Sequence, residues 1–326
     1  QSAAGIGIAE HYKDMQTLVL LVINESQFMS TVLNDPGVVA HDREETQVKM
    51  DKMQARVQRY FKTFGEEWAN AFFDTHLSNY RSYGLLVEAE KFRKPLTRYL
   101  RAEKARGRLC WINDVLQEGD FQEASTALTN LAQEQEVKFW NKKVELSLAK
   151  LTSLAAAEET GSKGNAELLN GDLTVVNTQE AIRQHLQYIL YAAVDIEAEV
   201  QLACDAYAAY LQLKTPALYA LLEASFEHML RNEALSVEEV IDILTLMDTK
   251  DSEDNEANII GKQFLMALQV LEAGKSRMEE GRFETNLRMI WKRCYLQDDW
   301  EFINNTRKRT DKLISRHIRD TFACQT

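Results

Sequence analysis

Residues 139–151 read FWNKKVELSLAKL, and this stretch indicates the fold of the chain more directly than any other. Apolar residues three or four positions apart, the period of one helical face, occur here and just before it at Val137, Trp140, Val144, Leu148 and Leu151. Phe139 and Leu146 are seven positions apart and fall on nearly the opposite face. The pattern predicts a helix over about residues 135–157 that has two apolar faces.

Two interpretations of such a helix remain open at this point. It could be a central helix with neighbours of its own chain on both sides. Alternatively, one face packs against the core of the protein and the other receives a helix of a partner.

The same helical spacing recurs along most of the chain, and the residues that interrupt helices are scarce. Proline occurs at only three of 326 positions, whereas average proteins contain about 5%. No repeat recurs at a fixed period, which disfavours tetratricopeptide and ankyrin arrays. We therefore predict an all-α protein, an irregular α-helical solenoid or stack of long antiparallel helices.

A compact pair of helices is predicted immediately before residues 139–151. Gly119 is placed to close the first helix, and Asp120 with Glu123 to cap the second. The apolar face of the second helix comprises Phe121, Ala124, Leu128 and Leu131. Further helix starts are predicted at Thr215 with Pro216 and at Ser236 with Glu239. A break is predicted at Gly65.

The helical pattern is interrupted between residues 155 and 174, where glycine and polar residues cluster. We predict an N-terminal helical module over residues 1–156, a linker or long loop over 157–176 and a C-terminal helical module over 177–326. An insertion between packed helices is the alternative. Because residue 1 is Gln1 and not methionine, we expect the chain to be a piece of a longer protein.

Composition and charge narrow the possible partners. Fifty acidic against 38 basic residues give a net charge of −12, which makes nucleic acid an unlikely partner and favours protein. Residues 88–108 form a local basic stripe that is more often a solvated helix face than a binding site. The four cysteines lie far apart and are predicted to be reduced thiols. The longest apolar run, residues 18–23, is too short for a transmembrane segment, which needs about 20 residues.

The sequence contains no recognisable catalytic or metal-binding pattern. Its six histidines are scattered, and the acidic run from Asp248 has Lys250 and Glu256 where a calcium loop needs a ligand and a glycine. Asp298 and Asp299 lack the third aspartate of a magnesium–diphosphate motif. We therefore predict no enzymatic activity, no cofactor and no metal.

Four stretches of the chain resemble the C-terminal helical domain of the fungal Y-complex scaffold nucleoporins, of the non-repetitive nucleoporin C-terminal family. They are GDF at residues 119–121, FWNKKVELSLAKL at 139–151, LSVEEVIDILTLMD at 235–248 and IWKRCYLQDDWE at 290–301. None is a short catalytic signature, so the resemblance depends on their joint order along most of the chain.

The resemblance implies a structural role at the nuclear pore complex in the nuclear envelope, which supports nucleocytoplasmic transport and mRNA export. It also implies that the helical stack binds the C-terminal tail of the neighbouring coat nucleoporin, on helices near residues 119–157. The expected partner-binding residues are Phe121, Leu128, Phe139, Trp140 and Leu146. The alternative functions are a helical adaptor or coat subunit of vesicle traffic or a transport receptor fragment, and then an enzyme.

Overall fold

The structure is a computed structural model that describes residues 2–79, 86, 89–160, 165–191, 193–248 and 262–297. Within these ranges the secondary structure is helical apart from one isolated bridge between Lys138 and Glu233. The prediction of an all-α fold is thus confirmed. The chain forms two compact units, residues 1–119 (unit 1) and residues 120–326 (unit 2).

Among its described residues unit 1 contains the six α-helices given next and two short 3-10 helices, Ala89–Phe92 and Lys104–Arg106, and it ends in one turn of π-helix, Asp114–Glu118. The helices are α1 (Ser2–Tyr12), α2 (Met15–Asn34), α3 (Ala40–Thr63), α4 (Gly65–Asn79), α5 (Arg93–Ala102) and α6 (Gly107–Asn113). The described part of unit 2 contains α7 (Phe121–Glu134), α8 (Phe139–Thr160), α9 (Ala166–Leu190), α10 (Ile196–Tyr207), α11 (Ala209–Lys214), α12 (Pro216–Leu230), α13 (Val237–Leu246), α14 (Gln263–Gly274) and α15 (Arg282–Gln297).

Several helix ends form as the sequence predicts. Gly119 adopts a left-handed conformation (φ 69°) that ends the π turn, and the Asp120 carboxylate accepts a hydrogen bond from the Glu123 backbone N–H at 3.1 Å. Ser236 and Glu239 form a complete capping box at the start of α13. These signals are reliable because the hydrogen bonds join residues only a few positions apart.

The segment predicted as a linker over residues 157–176 is instead largely helical, because α8 extends to Thr160 and α9 begins at Ala166. Gly171, which suggested a loop, lies inside α9 where this helix crosses α14. A Cβ atom at Gly171 would be 2.6 Å from the carbonyl oxygen of Ala273. The glycine therefore permits a close helix crossing and not a turn. The two compact units divide between residues 119 and 120, ahead of the predicted linker.

The dense aromatic residues of unit 1 form a core, as predicted. Tyr60, Trp68 and Phe73 are completely buried, and Phe61 stacks on Phe92 with ring centroids 4.0 Å apart. Such ring pairs contribute stability beyond the area that they bury. The pattern of aromatic residues at helical spacing is thus explained by packing.

Carboxylates of unit 1 compensate half of the basic residues in the stripe over residues 88–108. Four arginines form ion pairs within this unit: Arg93 with Glu118, Arg98 with Glu66, Arg101 with Asp114 and Arg106 with Asp74. The pairing supports the interpretation of this stripe as a structural helix face. None of the described helices has the length and apolar character needed to cross a membrane.

A buried histidine is expected to make the stability of unit 2 sensitive to acid. The Nε2 atom of His185 lies 3.0 Å from the hydroxyl of Tyr207, and burial lowers the pKa of His185 below its ordinary value of 6.5. Below pH 6.5 the unfolded chain therefore binds a proton that the folded chain resists. We expect the free energy of unfolding to fall as the pH drops below about 6.5.

Urea unfolding at pH 7.5 and 5.5 checks this expectation. The loss of stability between the two pH values is expected to be smaller in His185→Phe than in the parent chain. An identical loss in both proteins would assign the acid sensitivity to other groups.

Candidate partner-docking surface

The helix α8 packs against both α7 and α9. The buried residues of α8 show which face of the helix is turned toward these neighbours. Phe139, Leu146 and Ala149 are at most 1% exposed, and the Ser125 hydroxyl of α7 donates a hydrogen bond to the Ala149 carbonyl oxygen at 2.8 Å. The face of α8 that carries Phe139 and Leu146 is therefore the core face.

This placement corrects the docking residues expected from the sequence. Phe139, Leu146 and Leu128 lie in the core, and Phe121 is half-buried. Trp140 alone among the five is well exposed. Helical spacing separates the two apolar faces correctly, but it contains no information about which of them meets the rest of the chain.

The opposite face of α8 presents an apolar row to solvent. We call it the α8 stripe, and its members are between 44% and 62% exposed: Val137, just before the helix, and Trp140, Val144, Leu151 and Leu154 within it. Scattered exposed apolar residues are normal on protein surfaces, whereas a continuous row of large ones is typical of an interaction site. The α8 stripe is the candidate site.

The start of α8 is held in place by the turn between α12 and α13. The Phe139 N–H donates to the Asn232 carbonyl at 3.0 Å, and the Ala234 N–H donates to the Val137 carbonyl at 2.8 Å. The side-chain amide of Gln179 on α9 donates to the Glu233 carbonyl and accepts from the Leu235 N–H. These long-range hydrogen bonds, which no local sequence pattern predicts, fix the amino-terminal end of the α8 stripe.

Charged side chains lie beside the same end of the stripe. Lys143 forms an ion pair with Glu180 of α9, and its ammonium group lies 5.7 Å from the centre of the Trp140 ring. Lys138 pairs with Glu233 at 3.8 Å, and Arg183 donates to the side chain of Asn232 at 3.0 Å. The last two contacts tie the same turn to α8 and α9.

A second ionic cluster joins α9 to the residues that follow α14. Arg277 donates two hydrogen bonds to the Asp172 carboxylate, at 2.8 and 2.6 Å. Burial lowers the pKa of the neighbouring Lys142, although the charge of Asp172 opposes this effect. The bidentate contact is a strong one because both partners are charged and matched in shape.

Among the residues that the structure describes, no group of three histidine, cysteine or acidic side chains is arranged to hold a metal ion. Most of the acidic run after Asp248 and the pair at residues 298–299 lie outside the described ranges. The absence of an enzymatic activity and of a cofactor remains a prediction.

Comparison with known proteins identifies the family. The family model for the non-repetitive/WGA-negative nucleoporin C-terminal region matches residues 2–323. The chain is 29% identical to nucleoporin NUP133 of Chaetomium thermophilum and 21% identical to nucleoporin nup132 of Schizosaccharomyces pombe, with 98% of the chain covered in each case.

The chain spans 24% and 25% of the length of these two relatives. No solved structure matches it. Since the family model covers nearly the whole sequence, the chain belongs to the non-repetitive/WGA-negative nucleoporin C-terminal family, and its place in the cell is the nuclear pore complex.

Proposed function

We propose that the chain is a scaffold segment of the Y-shaped coat of the nuclear pore complex. In this role it binds the C-terminal helical tail of the neighbouring coat nucleoporin through the α8 stripe, and thereby supports nucleocytoplasmic transport and mRNA export. The family match supports a nucleoporin over an adaptor of vesicle coats. The exposure of the α8 stripe is the observation that carries the docking proposal.

The size and shape of the α8 stripe suit a helical ligand. From Trp140 to Leu154 the row extends over about 21 Å, at 1.5 Å per helical residue. A partner helix of four turns covers this length. Trp140 is the natural anchor, because tryptophan is enriched among the residues that dominate binding energy.

The rigidity of α8 favours binding. Its core face is buried, and its first residues are hydrogen-bonded to the turn between α12 and α13. A surface that is already ordered loses little conformational entropy when a ligand binds. The proposed role requires no catalytic step, in agreement with the absence of catalytic motifs from the sequence.

Calorimetry with the tail of the adjoining coat nucleoporin from the same organism tests the proposal. We expect one-to-one binding to the parent chain and an affinity at least about 100-fold lower for the double variant Val144→Asp, Leu151→Asp, since two anchors are replaced by charges. The melting temperature should stay within about 3 °C, because both side chains are exposed.

The matched control is Leu20→Asp, Val48→Asp. These two apolar side chains of unit 1 are 45% and 51% exposed, so the chemical change is the same at another place. The control should bind the tail as the parent does. Undiminished binding by the Val144, Leu151 variant, or no binding to the folded parent chain, would contradict the proposal.

A further inference from the structure

The exposed positions of α8 repeat every seven residues. Val137, Val144 and Leu151 form one row, and Trp140, Ser147 and Leu154 form a second row three positions later. These are the a and d positions of a heptad, the pattern along which two helices pack side by side at a small angle. Ser147 is the only small residue in the two rows, and it leaves room for a large apolar side chain of the partner.

Within α8 itself, the positions that flank the seam of these two rows carry no carboxylate. The positions that flank the seam on α8 are Asn141, Leu148 and Ala155 on one side and Lys143, Lys150 and Ala157 on the other. Lys143 already pairs with Glu180, whereas Lys150 is half-buried and its side chain makes no hydrogen bond or ion pair with any residue in the described ranges. In a chain with a net charge of −12, this border is positive.

A second copy of the chain is a poor occupant. Antiparallel pairing of two α8 helices that matches Trp140 with Leu151 and Val144 with Ser147 brings Lys143 beside Lys150 of the other copy. Like charges at these flanking positions oppose association. The border therefore favours a different, acidic partner.

We infer that the ligand of the α8 stripe is a single amphipathic helix with apolar residues at heptad spacing and a carboxylate at the flanking position that faces Lys150. It lies along α8 with a crossing angle of about 20°, as in a two-stranded coiled coil. This inference rests on the proposed function, which supplies the source of the helix, and it adds the sequence pattern and charge by which the stripe recognises its partner.

Reversal of one charge tests the inference with the same tail. Lys150→Glu should weaken binding about tenfold in 50 mM salt, and the difference should shrink in 500 mM salt because salt screens exposed charges. Lys150→Arg should bind like the parent chain. The control Lys52→Glu, at an exposed lysine of α3, changes the net charge equally and should have no effect.

The unaltered tail should bind the parent chain more tightly than the Lys150→Glu chain. A tail peptide in which the acidic residues facing Lys150 are replaced by lysine should show the opposite order of affinities. Equal affinities of the Lys150→Glu and Lys52→Glu chains for the tail would overturn the inference about the acidic helix. Loss of binding in Val144→Asp, Leu151→Asp would in that case still support the proposed function. If the stripe variant instead lost thermal stability, a segment of the same chain would cover the stripe, and both proposals would fail.

Discussion

Replacing Phe139 and Leu146 together by aspartate is expected to unfold unit 2. Both side chains are essentially inaccessible to solvent. Truncation of such residues to alanine alone costs about 3–5 kcal/mol for phenylalanine and about 2–5 kcal/mol for leucine. Aspartate adds the cost of a buried charge without a partner, and the sum approaches the whole stability of an ordinary domain.

Circular dichroism and limited proteolysis measure this outcome. The variant should lose the cooperative melting transition of unit 2 and be cleaved rapidly within residues 120–297. The exposed pair Val144→Asp, Leu151→Asp on the same helix is the matched comparison, and it should melt like the parent chain. A native melting curve for the Phe139, Leu146 variant would return these residues to the docking surface that the sequence suggested.

Gly171→Ala is expected to destabilise unit 2 by about 3 kcal/mol or more, although it adds a single methyl group. The new Cβ atom would lie 2.6 Å from the Ala273 carbonyl oxygen, which is closer than such atoms can approach. The obstacle is backbone and not the end of a flexible side chain. Relief therefore requires α9 and α14 to move apart, which opens the packed core between them.

The comparison with Gly7→Ala makes this experiment decisive. Gly7 also lies inside a helix, α1, but a Cβ atom there meets nothing within 4 Å. Alanine is the better helix former by about 1 kcal/mol, so this variant should be as stable as the parent chain or slightly more stable. Chemical denaturation of both variants measures the difference. Equal stabilities would show that α9 and α14 do not cross as closely as described.

The parts of the fold that could be predicted are those that depend on near neighbours in the sequence. Gly119 with Asp120, and Ser236 with Glu239, mark helix ends through hydrogen bonds within one turn. The recurring helical spacing of apolar residues and the scarcity of proline were together enough for the all-α class. The predictions are confirmed at these helix ends because the local preference of the sequence and the tertiary structure agree there.

The places where prediction failed depend on contacts between distant residues. Gly171 looked like a loop residue because a glycine at a helix crossing and a glycine in a turn are identical in sequence. The helices α9 and α10 end at Leu190 and Tyr207, although neither proline nor glycine follows directly to give a warning.

The candidate site was recognised only in part. The sequence showed that α8 has two apolar faces, and the expected partner-binding residues included Trp140, which the structure places on the exposed face. It could not choose between the faces, because the choice is made by α7, α9 and the turn at residues 231–236. Burial on one side, rather than hydrophobicity, distinguishes a core face from a docking face.

The bridge between Lys138 and Glu233 also has a consequence for the order of biosynthesis. The ribosome releases the start of α8 well before the turn between α12 and α13 that provides its hydrogen-bond partners. Until that turn has left the exit tunnel, the start of α8 lacks these hydrogen-bond partners, even though α7 and α9 are already available to cover its core face. The last step in the maturation of the docking helix is therefore set by translation of a segment far downstream of it.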